Sequence, residues 1–478
     1  MKSQQARYRT LYLNVRIQFL VSVVAVFQLF SSNTLHAQAS DARVFQYLQL
    51  IGNARTQAAV FQREIGMNLG DTILSADSMA GVFQKRFSGL GLFTHVQVQW
   101  HADTLAIAVS ERIYTWVMPY FSWADRNFNI WTRTHFPFDR VNYGATLHIN
   151  NIAGQNYKAW LSLRLGFNTY FDAGIQSPFH KHDAGWAFGA RILYWQNHEL
   201  WYGAEKDKLL FLNTDERVVQ KNQMIELTAS RRLGYYQRLE FGFSAASTRL
   251  DSLVTAAQLQ YQYDQPLQRE QTVRMEWVLD RRDQRDYPSR GGLLRLGAKA
   301  MLAARTFESN RLLPTAWIRA SKFIPLRASG SQVLALGMYG QLMPGVEGQP
   351  YKYARQLGYQ SDYVRGYEAY VADGSGFILG KVAWRNALWR DKIIHLKGKG
   401  VFSSYFNVPI SLWFNIFADA GRVYKPFDAQ LNPISAQWQG GMGIGFDMIV
   451  CYTAMARIEY TMNAIGRAAF NVSYKNAF

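Results

Sequence analysis

The chain has 478 residues, 49% of them apolar, 15% aromatic and 18% charged, with 52 Lys and Arg against 34 Asp and Glu. That apolar content rules out disorder, and a single cysteine, Cys451, rules out a disulfide scaffold. Beyond the N-terminus no run approaches the ~18 apolar residues of a spanning helix, which leaves a soluble multidomain protein or a β-barrel in a membrane.

The N-terminus decides the compartment. Lys2, Arg7, Arg9 and Arg16 precede the apolar stretch Ile17 to Phe30, and Ala37-Gln38-Ala39 follows. A basic segment, a short apolar segment and small residues in that order make a secretory signal peptide, expected over residues 1–39 with cleavage after Ala37 or Ala39. Its removal takes away four positive charges and no negative one, so the exported remainder is still basic. A lone Cys451 in an oxidising compartment reads as a buried small apolar residue. Export without spanning helices points to the outer membrane of a Gram-negative cell.

Residues 42–112 read as a small α/β domain of order β-α-α-β-β. Phe45 to Ile51 is extended and ends at the turn pair Gly52-Asn53. Thr56 is expected to cap a helix with Ala58, Phe61 and Ile65 on one face, and Leu69-Gly70-Asp71 breaks it. A second helix starts near Ser75, with Met79, Phe83 and Phe87 four apart. Two alternating strands close the unit, Val96-Val98-Trp100 and Leu105-Ile107-Val109, joined through Ala102-Asp103-Thr104.

Over residues 113–478 the texture changes to segments of about ten residues that alternate strictly. Tyr157, Ala159, Leu161, Leu163, Leu165 and Phe167 oppose Lys158, Ser162, Arg164 and Gly166, with Trp160 the exception. Leu294, Leu296, Ala298 and Ala300 oppose Arg295, Gly297 and Lys299. Leu412, Phe414, Ile416 and Ala418 oppose Asn415 and Asp419, and Ile458, Tyr460 and Met462 oppose Arg457, Glu459 and Thr461. Bare aliphatics on one side and charges on the other suit a membrane barrel with a wet lumen. Hydrocarbon leaves no partner for an open strand edge, so such a sheet must close on itself. The length suits an all-β transmembrane barrel of about sixteen antiparallel strands. The chain ends as a closing strand would, with Phe470, Val472 and Tyr474 on one face and Phe478 last.

At these residues the sequence resembles the outer-membrane assembly-factor superfamily, the BamA and TamA family, with its polypeptide-transport-associated (POTRA) domain and bacterial surface antigen barrel. The POTRA-like markers are Ile51-Gly52-Asn53 with Thr56, Leu69-Gly70-Asp71, and Gly91-Leu92-Phe93 with Val96. Asp280-Arg281-Arg282-Asp283 with Pro288-Ser289-Arg290-Gly291-Gly292 resembles the family's D-x-R-D…P-x-x-G turn. Val364-Arg365-Gly366-Tyr367 resembles the tip of the loop that folds back into the lumen, and Phe417-Ala418-Asp419-Ala420-Gly421 the strand segment F-x-D-x-G. The resemblance implies a contact from Arg365 to Asp419. A guanidinium forked onto a carboxylate would give such a loop a specific anchor, and Gly366 would allow close approach to the wall. Trp384, before Arg385, stands where the resemblance implies a Glu, so a second carboxylate for Arg365 is either missing or comes from elsewhere, such as Asp362 or Asp447.

Other chemistries find little support. His180-Lys181-His182 has no acidic or thiolate partner nearby and reads as a loop, not a metal site. Asp373-Gly374-Ser375-Gly376 lacks the spacing of a nucleophile elbow. Gly441, Gly443 and Gly445 alternate within a strand and thin one face of the wall. No cofactor and no enzymatic activity are expected. The excess of Lys and Arg in an exported protein suits lumen arginines or anionic lipid headgroups better than nucleic acid.

The function expected from the resemblance is insertion or translocation of other polypeptides through a POTRA-like periplasmic domain, a lumen loop and a lateral seam between Thr115–Ser122 and Ala469–Phe478. The partners expected are unfolded or exported client polypeptides, outer-membrane lipids and accessory lipoproteins. Two rivals stand beside this: a dedicated two-partner-type secretion transporter, and a passive or structural barrel pore. The transporter implies a plug helix ahead of usually two POTRA units, whereas a few residues precede one unit here.

Overall fold

In the computed structural model, the described residues are 42–73, 75–123, 140–181, 184–214, 217–257, 259, 261–262, 266–285, 287–304, 310–359, 362–395, 407–450 and 454–476. The signal segment, Cys451, His182 and Phe478 lie outside them.

The N-terminal domain carries five strands: β1 (Arg43–Val44), β2 (Tyr47–Ile51), β3 (Thr72–Ile73), β4 (Phe93–His101) and β5 (Thr104–Glu111). Its main sheet has the order β2-β5-β4, with β2 parallel and β4 antiparallel to β5. The helices Ala58–Ile65 and Ala76–Gly89 cover it. Phe61, Ile65, Phe83 and Phe87 from the helices meet Val96, Val98, Leu105 and Ile107 from the sheet in one buried cluster, the 3.6 and 2.0 periodicities meeting at one interface. Thr56 does not cap the first helix. The N-cap is Gln57, without a side-chain capping bond, and the Thr56 hydroxyl instead pairs with Tyr114 Oη at 2.9 Å and accepts from Asn151 Nδ2 at 2.9 Å. A buried hydroxyl needs a partner more than a solvated helix end needs a cap.

The rest of the chain is a closed antiparallel barrel. Its wall strands are β6 (Thr115–Trp123), β7 (Val141–Ile152), β8 (Tyr157–Gly166), β9 (Thr169–Gln176), β10 (Trp186–Asn197), β13 (Gln220–Gly234), β14 (Gln237–Leu250) and β15 (Leu267–Asp280). They continue as β16 (Gly291–Ala304), β17 (Asn310–Pro325), β18 (Gln332–Leu342), β20 (Ala372–His395), β21 (Asn407–Pro426), β22 (Gln439–Val450), β23 (Ala454–Asn463) and β24 (Ala468–Asn476). The three-residue β19 (Arg355–Leu357) pairs only with the start of β20, while β18 and β20 pair directly past it, so sixteen of the seventeen segments in the ring form the wall. The strands β11 (Glu199–Glu205) and β12 (Lys208–Asn213) form a separate hairpin at one rim.

Alternation orients every wall strand. Leu161, Leu163 and Leu165 are exposed on the outer face, as are Ile416, Ile444 and Ile458. Trp160, the exception in its strand, faces the lumen and donates from Nε1 to Asp172 Oδ1 at 3.2 Å, so its polar end is satisfied where an aliphatic side chain would gain nothing. Among the described residues no helix is long and apolar enough to cross a membrane.

The N-terminal domain docks on the turns at one rim. The Gln57 backbone N–H donates to Gly154 O and its Nε2 to Ala153 O, at 2.9 and 2.8 Å. Tyr235 Oη donates to Lys85 O at 3.0 Å. At the opposite rim the β11–β12 hairpin folds inward: Asp207 N–H donates to Asn432 Oδ1 at 2.8 Å, and Val371 N–H donates to Asp207 O at 2.9 Å.

Candidate functional site

Between β18 and β20 the chain does not form a simple turn. Its described residues, 343–359 and 362–371, fold back inside the barrel, and the tip Val364-Arg365-Gly366-Tyr367 is held against the inner wall. Arg365 forks onto Asp419, Nε to Oδ2 at 2.7 Å and Nη2 to Oδ1 at 2.6 Å, and its backbone N–H donates to Oδ2 at 3.2 Å. Its remaining Nη1 reaches Glu459 Oε1 at 3.2 Å. The Phe417 ring lies 3.5 Å beneath the guanidinium carbon. Arg365 is 8% exposed and Asp419 4%, so the charges are desolvated and paired at once, the condition under which a buried ion pair is tolerated.

Neither Asp362 nor Asp447 supplies the second carboxylate. Asp362 takes Arg319 at 2.6 Å, while Asp447 takes Arg457 through two bonds of 2.6 and 2.8 Å. Glu459 fills the role because it sits on the inward row of β23, opposite Gly445 on β22. Trp384 pairs with Ile416 on the outward row, whereas Arg385 faces the lumen and stacks on Tyr287 at 4.6 Å.

Three further contacts tie the tip to the wall. Gly366 has φ 90°, and its carbonyl accepts from Asn463 Nδ2 on β23 at 2.7 Å. Val364 is fully buried with Leu357, Tyr367, Tyr370 and Leu379. Gly441 on β22 admits the tip: a Cβ there would lie 1.9 Å from Arg365 O. Gly441 thus makes room for a backbone inside the wall, whereas Gly443 and Gly445 lie against atoms of the neighbouring wall strands. Glu368 caps the Gly366 N–H at 3.0 Å and also meets the side-chain amide of Asn471 on β24. One loop therefore touches β21, β22, β23 and β24.

The turn between β15 and β16 is a second built element. Arg282 forks onto Asp280 at 2.9 and 2.8 Å. Asp283 accepts from Ser289 N and Arg290 N at 3.0 and 3.1 Å. Gly291 has φ 88°, and a Cβ on it would lie 1.9 Å from Arg281 O. Pro288 is buried beside Tyr287. The turn aims Tyr287 into the lumen, where its hydroxyl donates to Asp447 Oδ2 at 2.8 Å. Its appearance among apolar and charged turn residues gave no signal of that reach.

The remaining marked residues sit in the N-terminal domain and at the ring closure. Gly52, Gly70 and Gly91 have φ of 86°, 96° and 71°. Asn53 Nδ2 donates to Thr56 O at 3.1 Å, and Phe93 stacks on Phe61 with ring centres 5.5 Å apart. Tyr474 lies in β24 opposite Ala456, and β24 closes the ring against β6. His180 points its Nδ1 at Trp186 O, 2.7 Å away.

The Omp85 superfamily domain matches residues 151–469, about two-thirds of the chain. The chain belongs to the Omp85 superfamily. Its fold is similar to that of BamA from Haemophilus ducreyi lacking POTRA domains 1–3, at 13% identity, 90% of this chain, 83% of that one and TM-score 0.51. It is also similar to CdiB from Escherichia coli, at 12% identity, 90% of this chain, 76% of that one and TM-score 0.56. CdiB from Acinetobacter baumannii follows at 10%, 90%, 73% and 0.50. No curated protein matches the sequence. Omp85 members insert or translocate proteins at the outer membrane, and membership places this barrel in that membrane.

Proposed function

We propose that this Omp85 protein inserts or translocates client polypeptides and is not an enzyme. The observation that carries the reading is the anchored lumen loop. Arg365 on Asp419 and Glu459, with Asn463 on Gly366, bolts one loop to the C-terminal strands of the wall. A passive pore has no use for a desolvated ion pair that fills its own channel.

The residues of the two parts support a division of labour. Residues 42–112 form the POTRA-like domain, held in the periplasm after removal of the signal peptide at 1–39, and residues 113–478 the barrel. The domain's sheet has β2 and β4 as its outer strands, and an extended client segment would bind by adding a strand there. The seam would lie where the first strand meets the last. Both β6 and β24 have nine residues, against 24 in β20 and 20 in β21, so the closure joins two of the shorter wall strands. The loop secures β21 to β24, which makes β6 the side that swings. An open seam offers a paired edge to each incoming strand, so no backbone group enters lipid unsatisfied. The client's own folding supplies the driving force.

Depletion followed by comparison of outer-membrane and cell-surface proteomes tests the reading. Loss of a subset of embedded barrels supports insertion, and loss of secreted or surface proteins supports translocation. An unchanged pair of proteomes overturns both.

A further inference from the structure

On the outer wall an exposed guanidinium continues an apolar row of β13. On β13 the outward row runs Ile225, Leu227, Ala229 and Arg231, and Ile225, Leu227 and Arg231 are exposed. Among the described residues Arg231 makes no ion pair; its guanidinium carbon lies 5.7 Å from the Trp186 ring, its cross-strand partner on β10. Placing a guanidinium on the lipid face is costly at the midplane and cheap near the headgroups, where such a side chain reaches phosphate.

Above Arg231 the wall is hollowed. Ala229 stands directly between Phe188 on β10 and Phe241 on β14. The next pairs are Leu227 with Ala190 on one side and Phe243 on the other. A small residue between phenyl rings leaves a furrow, and the depression here has a volume of ≈ 640 Å³ lined almost wholly by apolar side chains. Trp186 stacks on Phe188, a residue that lines the furrow, with ring centres 6.3 Å apart.

The dimensions select an occupant. The six residue steps from Ile225 to Arg231 cover about 20 Å of strand. At a tilt of 35–45° that is roughly 15 Å along the membrane normal, one leaflet of a hydrocarbon core about 30 Å thick. We propose that the β10–β13–β14 face binds a single glycerophospholipid, one acyl chain in the Ala229 furrow and its phosphodiester on Arg231. One guanidinium over one chain-wide furrow matches a lipid with one phosphate per molecule. The site lies in the leaflet nearest the N-terminal domain, because Arg231 is three residues from the Gly234 end of β13, beside the Tyr235 that contacts that domain.

Native mass spectrometry of the full chain from mild detergent tests this, with phosphatidylglycerol, diacylglycerol and lipid A added as separate probes. Wild type should retain one phosphatidylglycerol. Arg231→Gln should retain it roughly fivefold less, the factor for losing one cation–headgroup attraction. Ala229→Phe, which fills the furrow and keeps the charge, should lose it too. Diacylglycerol, which lacks the phosphate, should not be retained. Heat-modifiable migration of each variant reports that the barrel has folded. Equal retention by wild type and both folded variants, or preferential retention of lipid A or diacylglycerol, overturns the proposal.

Discussion

Arg232, at the rim end of β13, donates to the Glu64 carboxylate of the first helix at 2.9 Å, across the junction between barrel and N-terminal domain. Glu64 is 2% exposed, and Arg63 Nε lies 3.7 Å from its other oxygen. Burial pushes the Arg63 pKa down, an effect that the neighbouring carboxylate opposes. Glu64 is thus the buried anion between two cations at this junction. Removing one partner of a buried pair costs about 3–5 kcal/mol, so Glu64→Gln should release the domain from the rim without unfolding the barrel. Spin labels on Gln84 and Arg217 would report it: the distance distribution should broaden in the variant while heat-modifiable migration stays as in wild type. An unchanged distribution would show that the backbone contacts of Gln57 suffice.

A second prediction separates charge from geometry at the lumen loop. Arg365 uses three of its nitrogens on Asp419 and Glu459. A lysine keeps the charge but cannot fork, so Arg365→Lys should already raise conductance in planar bilayers. Arg365→Ala should do worse, since it leaves the buried Asp419 carboxylate unpaired and Glu459 with only the longer 3.7 Å approach of Arg457. Combining Arg365→Ala with Asp419→Asn should recover part of the loss. Wild-type conductance in both single variants would mean that the Val364 cluster holds the loop alone.

The glycines of β22 give a test without any change of charge. A Cβ on Gly441 would lie 1.9 Å from Arg365 O, a backbone atom that cannot step aside alone. At Gly440 the nearest atom to such a Cβ is Ala464 Cβ at 3.8 Å, ordinary contact. Gly441→Ala should therefore reproduce the leak of the Arg365 variants, and Gly440→Ala should conduct as wild type does. Equal behaviour of the two alanines would sink the claim that the wall is thinned for the loop.

Much of this architecture can be read from the sequence because a membrane barrel punishes any slip of register. One residue's shift would turn Leu161, Leu163 and Leu165 inward and Arg164 into lipid, so the period of two is kept along strands such as this one. Thr56 misleads because the same residue type serves as a helix cap and as a buried hydrogen-bond partner, and only the fold shows that Tyr114 and Asn151 are beside it. Glu459 lies on a row whose inward direction is legible, yet its pairing with a loop 94 residues earlier is not. The β11–β12 hairpin escapes because a strand pair outside the wall carries no lipid-facing stripe.

That hairpin gives the pH-dependent prediction. The Asp207 carboxylate accepts from Ile434 N and Ser435 N, both at 3.1 Å, and from Ser435 Oγ at 3.3 Å. Burial pushes its pKa above the usual carboxylate value, outweighing the three donors that favour the anion. The protonated form is then the one the docked hairpin prefers. Its contribution to docking is fully present below the unperturbed pKa of about 3.9 and fades as pH rises through the raised value. Amide exchange at Asp207 and Ser435, corrected for the intrinsic pH dependence, should show stronger protection on acidification. Asp207→Asn keeps an acceptor oxygen and removes the titration, so its protection should be flat across the same range. Protection that instead grows with pH in wild type, and is lost in Asp207→Asn, would show that the anion is the form bound and that the three donors outweigh burial.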